Sequence, residues 1–191
     1  MKKSTIILIV IAAIFAFTAF WGIGARNSMV SAYEDVQNKA SAIETQLQRR
    51  SDLIPNFVAT VKGYAAHEEE VYTAIADARA KLSGAIESDD MASVSEANAE
   101  LDSALSRLLV VVENYPELQA NENFIALQDE LAGTENRIAK ARQDYNNEVR
   151  SYNKTIKLFP NSIIANMSGF EEMDYFEAAE GAENVPNVDF S

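Results

Sequence analysis

Cysteine is absent from this chain, which removes disulfides, thiolate metal sites, a cysteine nucleophile and the lipid-bearing cysteine of a bacterial lipoprotein. Histidine occurs once, as His67, so a two-histidine zinc motif or any two-histidine metal triad within one chain is excluded. Glycine (7) and proline (4) are scarce among 191 residues, and no phosphate-cradling Gly-rich loop or Ser-His-Asp set is evident. Basic residues are outnumbered 16 to 29. Two of the basic ones, Lys2 and Lys3, precede an apolar N-terminal run, so the excess of acid beyond it is larger still. A domain with that balance repels nucleic acid.

What is present points to helices. Ala, Glu, Leu and Asn recur throughout and 48% of residues are hydrophobic, the profile of an all-α protein with very little strand. No charged residue occurs from Ser4 to Ala25, a run long enough to cross a bilayer, which takes about 20 residues. The rival reading is a cleaved signal peptide. Its apolar core is shorter, about 7–15 residues, and ends in a small-x-small site, whereas this run ends in Phe20-Trp21-Gly22. Trp21 suits an interfacial aromatic position. Lys2, Lys3 and the amino terminus on one side outweigh Arg26 on the other, which predicts a cytoplasmic N-terminus and an extracytoplasmic, periplasmic bundle domain. Ala12, Ala16 and Ala19 share one helix face, a pattern read first as ordinary membrane filler.

Beyond the anchor, Met29, Tyr33, Val36, Ala40, Ile43 and Leu47 alternate spacings of four and three, the seam of a helix packed on other helices. The same phase reaches Ile54, Phe57, Val61, Tyr64, Val71, Ile75, Ala78 and Leu82, with Arg50 and Glu68 as polar interruptions. Between them lies Gln48-Arg49-Arg50-Ser51-Asp52-Leu53-Ile54-Pro55-Asn56. Arg49 and Arg50 suit a helix C-terminus, Asp52 an N-cap, and Pro55 a first turn. These signals predict a turn between the first two bundle helices, the second running from about Asn56 to Ser83 and closing at Gly84. The preserved phase supports the rival, a continuous helix kinked at Pro55.

Ser88-Asp89-Asp90 offers caps for a third helix, whose face is Met91, Val94, Leu101, Leu105, Leu108 and Val112, ended by Asn114-Tyr115-Pro116. Asn121 caps a fourth, with Phe124, Leu127, Leu131, Ile138, Ala141, Tyr145, Val149 and Tyr152 as its face. Phe159-Pro160 closes it, and Ile163, Ile164, Met167 and Phe170 suggest a short amphipathic piece folding back. Amphipathic helices are unstable singly and bury their stripes together, so an antiparallel, up-and-down four-helix bundle is predicted. The expected domains are the anchor at 1–25, a single bundle at 26–177 and an acidic, disordered tail at 178–191.

Those residues also resemble a known group. Gln48 to Asn56, followed by Val61-Lys62-Gly63-Tyr64-Ala65 and His67-Glu68, is similar to the LemA family of bacterial membrane-anchored proteins. The resemblance continues in Glu113-Asn114-Tyr115-Pro116-Glu117-Leu118, Glu135-Asn136-Arg137-Ile138-Ala139, Tyr145-Asn146, Tyr152-Asn153, Phe159-Pro160 and Tyr175-Phe176-Glu177. Ala40 departs from it, standing where the family often has a tryptophan. The resemblance implies one N-terminal membrane helix and an antiparallel four-helix bundle. It implies no agreed activity, although one branch resembles proteins used in building magnetosome membranes.

Candidate chemistry is sparse. His67 with Glu68, Glu69 and Glu70 reads as a solvated helix face, because successive helical residues point in different directions. Arg49, Arg50 and Asp52 are candidate contacts for a partner's carboxylate or an anionic headgroup, arginine offering a bidentate fork. Tyr145 and Tyr152 stand seven apart, and Asn146 and Asn153 repeat the interval. They read as core rings with asparagines fixing register at the margin, or as a packing surface for another subunit. The expected function is a single-pass, membrane-anchored, self-associating scaffold or modulator of a membrane complex. Its partners are the lipid bilayer through residues 5–24, further copies of itself and another membrane protein. No catalysis, cofactor or metal is expected. The alternative is a receptor for a small molecule or metal within the bundle, for which only Arg50, Glu68, Thr134 and Glu148 supply polar seam positions; a hydrolase ranks last.

Overall fold

The computed structural model describes residues 3–88 and 90–176. The expected disordered tail at 178–191 lies outside them. The described chain is all-helical: α1 spans Lys3–Lys62, α2 Glu69–Glu87, α3 Met91–Val112, α4 Pro116–Gln119, α5 Glu122–Lys157 and α6 Asn161–Ser168. The described residues form two compact units, one drawn from positions up to 39 with 147–173 and the other from 40–146 with 174–176.

The predicted turn at 49–56 is corrected by the structure, since α1 runs through Pro55 without ending. The physical reason is a replacement donor. Proline has no N–H, so the carbonyl four residues earlier, that of Ser51, loses its helical partner. The side chain of Arg79 on α2 supplies the missing hydrogen, its Nε donating to the Ser51 carbonyl at 3.0 Å and to the Ser51 Oγ at 3.1 Å. Asp52 consequently lies inside the helix, accepting from Gln48 Nε2 at 3.0 Å rather than capping a new one. Arg49 and Arg50 likewise occupy mid-helix positions and not a C-terminus. The unbroken phase that runs from Ala40 through Ile43, Leu47, Ile54, Phe57 and Val61 is buried at each of those positions.

The turn comes later, after Lys62, where Tyr64 and Ala65 both donate backbone N–H groups to the Val61 carbonyl. Tyr72 Oη closes it by donating to the Ala65 carbonyl at 2.7 Å, with the Lys62 ammonium 4.7 Å from the centre of its ring. Tyr72, rather than Val71, is the buried residue of that turn of α2. Gly84 is also corrected: α2 continues past it to Glu87, with Ser88 as its C-cap.

Other boundaries fall where their chemistry places them. Asp90 caps α3 by accepting from the Ala92 N–H at 3.2 Å. Pro116 occupies the first turn of the short α4, where a missing N–H costs nothing. Asn121 caps α5 by accepting from the Phe124 N–H at 3.1 Å, and its Nδ2 donates to Tyr64 Oη.

In the second unit α2 and α3 pack on each other, and Phe57 of α1 stacks on Phe124 of α5 with ring centres 5.2 Å apart. The first unit has its own core of Met29, Val36, Val149, Tyr152, Ile156 and Ala165, with Tyr33 meeting Tyr152 edge to face at 6.2 Å. Its α6 ends at Gly169, whose φ of 74° lies in the left-handed region; this allows Phe170 to donate back to the Ala165 carbonyl. The start of α1 is long and apolar enough to cross a membrane by length and composition, and its large side chains, among them Phe15, Phe17 and Phe20, face outward.

Candidate functional site

Arg50 is the charged residue the core absorbs. Its guanidinium is almost fully buried and forms an ion pair with Asp102 of α3. It also donates to Asn98 Oδ1 at 3.2 Å and lies 3.1 Å from Glu135 Oε2 of α5. That Glu135 oxygen lacks hydrogen-bond geometry to any group, so its attraction to Arg50 is one of charge alone. One cation thus ties α1, α3 and α5 together in the second unit. The surrounding groove, about 370 Å³, is otherwise walled by Phe57, Leu105, Leu109, Leu131 and Ala132, with Ser106 and Gln128 at its margin. Two carboxylates face one guanidinium there, so the local excess is negative.

Arg49, one position along the same helix, is more than half exposed and pairs with Glu130 at 2.6 Å, a carboxylate it shares with Arg137. Asp52 is exposed. Of the other polar seam residues, Thr134 donates to the Glu130 carbonyl of its own helix at 2.8 Å, and Glu68 precedes α2 without making a side-chain cap. His67 is exposed. Among the described residues no group of three or more His, Asp or Glu side chains is arranged to hold a metal ion.

The second arrangement is built from the Tyr-Asn pairs of α5. In the first unit, Asn153 Nδ2 donates to the Met173 carbonyl at 2.8 Å while its Oδ1 accepts from the Met173 N–H at 2.9 Å; Tyr152 Oη donates to the Glu171 carbonyl at 2.9 Å. In the second unit, Asn146 makes the same two-way contact with Phe176, at 3.0 and 2.9 Å, and Tyr145 Oη donates to the Asp174 carbonyl at 3.0 Å. A side-chain amide offers one acceptor and one donor side by side, and here it pairs with a backbone as a neighbouring strand would. The segment at 171–176 is non-helical, and these side chains satisfy both backbone groups of Met173 and Phe176 and the carbonyls of Glu171 and Asp174.

The two clamps repeat one pattern: Met173 and Phe176 are three apart, as are Glu171 and Asp174, and each Tyr-Asn pair meets the equivalent two positions of the segment. Burial pushes the Tyr145 hydroxyl up to about 12, with the negative charge of Asp174 adding to the effect. Tyr152 is raised as well, first by burial and then by Tyr33 and Glu171. Arg142 covers the Phe176 ring at 5.1 Å.

Of the five residues singled out in the sequence, Arg50 joins a buried cluster, Arg49 and Asp52 lie outside it, and Asn146 and Asn153 hold the chain's own later segment. Both asparagines bond the backbone of Met173 or Phe176, an occupant that the sequence reading did not name. Sequence reasoning did not find Asn98, Asp102 and Glu135 as partners of Arg50, nor Arg79 as the donor to Ser51.

Residues 39–190 match the LemA family. The chain is 28% identical to the magnetosome protein MamQ of Magnetospirillum gryphiswaldense, an alignment covering 78% of this chain and 64% of that one. It is 29% identical to the magnetosome protein MamQ 2 of Paramagnetospirillum magneticum, covering 79% and 64%. Against the protein LemA of Metamycoplasma hominis it is 27% identical, covering 83% and 71%. The chain therefore spans less than two thirds of the length of the two magnetosome relatives.

Proposed function

This chain belongs to the LemA family, and from that premise we propose that it is a single-pass membrane scaffold that associates with itself and with a membrane-protein partner, without catalysis. Its apolar N-terminal helix anchors it in a membrane. The observation that carries the scaffold reading is the continuity of α1, which extends from the apolar run through a regular seam to Lys62 as one helix. The buried polar side chains of Arg50, Asn98 and Asn153 are committed to internal bonds, and this favours structural work over chemistry. The up-and-down bundle is part of the same proposal, supported by the bridging of α1, α3 and α5 by Arg50. A single domain at 26–177 belongs to it too; what supports it is that the family match over residues 39–190 takes in residues of both compact units. A partner's carboxylate or an anionic headgroup is assigned to Arg49, and a cationic or hydrogen-donating group of the partner to Asp52, both of which are exposed. The bundle is placed on the extracytoplasmic side, supported by Lys2 and Lys3 ahead of the span.

Mass measurement of the detergent-extracted protein, with crosslinking in the native membrane, tests the proposal. Recovery of oligomers or of a stoichiometric membrane partner is expected; a monomer that recovers no partner and retains a metabolite or metal overturns it. Orientation is read separately by a cysteine introduced at exposed Glu96, which an impermeant maleimide labels in intact cells if the domain is extracytoplasmic.

The second reading, a receptor, is favoured by the groove beside Arg50. Its negative excess and leucine walls fit a small organic cation. Calorimetry with a panel of polyamines and quaternary amines decides it, since a flat response to all of them removes the reading.

A further inference from the structure

The first unit leaves a group of large apolar side chains outside its core. Leu158, Phe159, Ile163 and Met167 are 53%, 81%, 51% and 80% exposed. They occupy the end of α5, the corner at Pro160 and the outer face of α6, where Ile163 and Met167 stand one turn apart. A contiguous apolar surface of that kind marks a contact with another apolar phase.

The contact between α6 and α1 identifies that phase. Ile164 Cδ1 lies over Gly22, 3.5 Å from where a Cβ on that glycine would sit. Gly22 belongs to the uncharged run that ends at Ala25, so it lies about 4.5 Å inside the end of the span at 1.5 Å per residue. Trp21, beside it, is the aromatic residue of the interface. Helix α6 is thus held at the depth where α1 leaves the hydrocarbon. Lys154 and Lys157 precede the apolar corner and are exposed; long lysine stems let the ammonium groups rise to the headgroups while the corner lies deeper. Lys157 pairs with Glu172 at 2.6 Å, both side chains being exposed.

We propose that the α5–α6 corner is a second membrane contact, with Phe159, Ile163 and Met167 inserted among the lipids of the leaflet from which α1 emerges. This inference rests on the membrane-anchored reading of α1 and adds an interfacial element to it. The corner combines the two ingredients of interfacial binding, apolar side chains on α6 and cations from Lys154 and Lys157 in the last turn of α5.

The absence of native cysteine makes the test direct. Single-cysteine variants Met167→Cys, Phe159→Cys, Phe15→Cys and Glu96→Cys of the full chain, each carrying an environment-sensitive fluorophore, are reconstituted into phosphatidylcholine vesicles with and without brominated acyl chains. Labels at Met167 and Phe159 are expected to be quenched by the brominated lipid and to lose quenching by aqueous iodide, as the Phe15 label does within the span. If either behaves like the Glu96 label, open to iodide and blind to the brominated lipid, the proposal is overturned. Shielding from both quenchers also overturns it, because protein would then cover the surface. Failure of the Phe15 label to report lipid would instead remove the anchor on which the inference depends.

Discussion

Ser51 shows how one carbonyl decides whether a helix continues. Its natural partner is the N–H that Pro55 lacks, and Arg79, 28 positions along the chain, takes that place. Removing Arg79 leaves a buried acceptor unsatisfied, so Arg79→Ala should cost about 1–3 kcal/mol. In a Pro55→Ala background the new amide satisfies Ser51, and the cost of removing Arg79 should shrink. Denaturation of the four variants measures this coupling; additive effects would show that Arg79 does not serve the proline. Tyr145 makes a prediction of pH dependence. Its phenol donates to a backbone carbonyl only while protonated, and its folded pKa, about 12, lies above the usual value of 10.0. Above pH 10 the unfolded chain loses this proton while the folded chain keeps it, so stability present below pH 10 declines as pH rises towards 12. Tyr145→Phe should flatten that decline, as followed by circular dichroism across an alkaline titration. Arg50→Met should cost about 3 kcal/mol, the low end for a broken buried ion pair because Asp102 and Glu135 are partly exposed. Adding Asp102→Leu should recover part of the loss in the same denaturation measurement.

At the level of the element, the Tyr-Asn clamps make a separable claim about each end of the segment at 171–176. Asn153→Ala should release the Met173 amide and Asn146→Ala the Phe176 amide, each seen as faster hydrogen exchange at that position. Simultaneous loss of both from either change would mean that the two clamps open as one. The same elements mark what the sequence makes legible. Helical faces were readable because burial repeats at the helical period, and Val94, Leu101, Leu108, Ile138 and Val149 are all buried where the pattern puts them. The Tyr-Asn interval was visible too, but its occupant was not, because an extended strap satisfied by side chains carries no periodicity of its own. Pro55 misled for a related reason: capping and proline rules weigh only neighbours in the chain, and the deciding donor arrives from α2. The ion pairs of Arg50 were hidden similarly, since Asp102 and Glu135 look like ordinary acidic residues on amphipathic helices.

For the molecule as a whole, the apolar N-terminal run was legible from composition alone, and the structure makes it part of a helix long and apolar enough to cross a membrane. The corner at Phe159 and Pro160 was readable as a helix end, but its exposed apolar side chains gained meaning only once Ile164 was found on Gly22. From Ser4 to Gly22 the helix climbs about 27 Å at 1.5 Å per residue. With lysines at one end and the proposed interfacial foot at the other, that length would act as a caliper. Bilayers whose hydrocarbon matches it would leave both ends at ease, while thicker ones would tilt the helix or lift the foot. A protein so built would be sorted among membranes by their thickness before any partner is met.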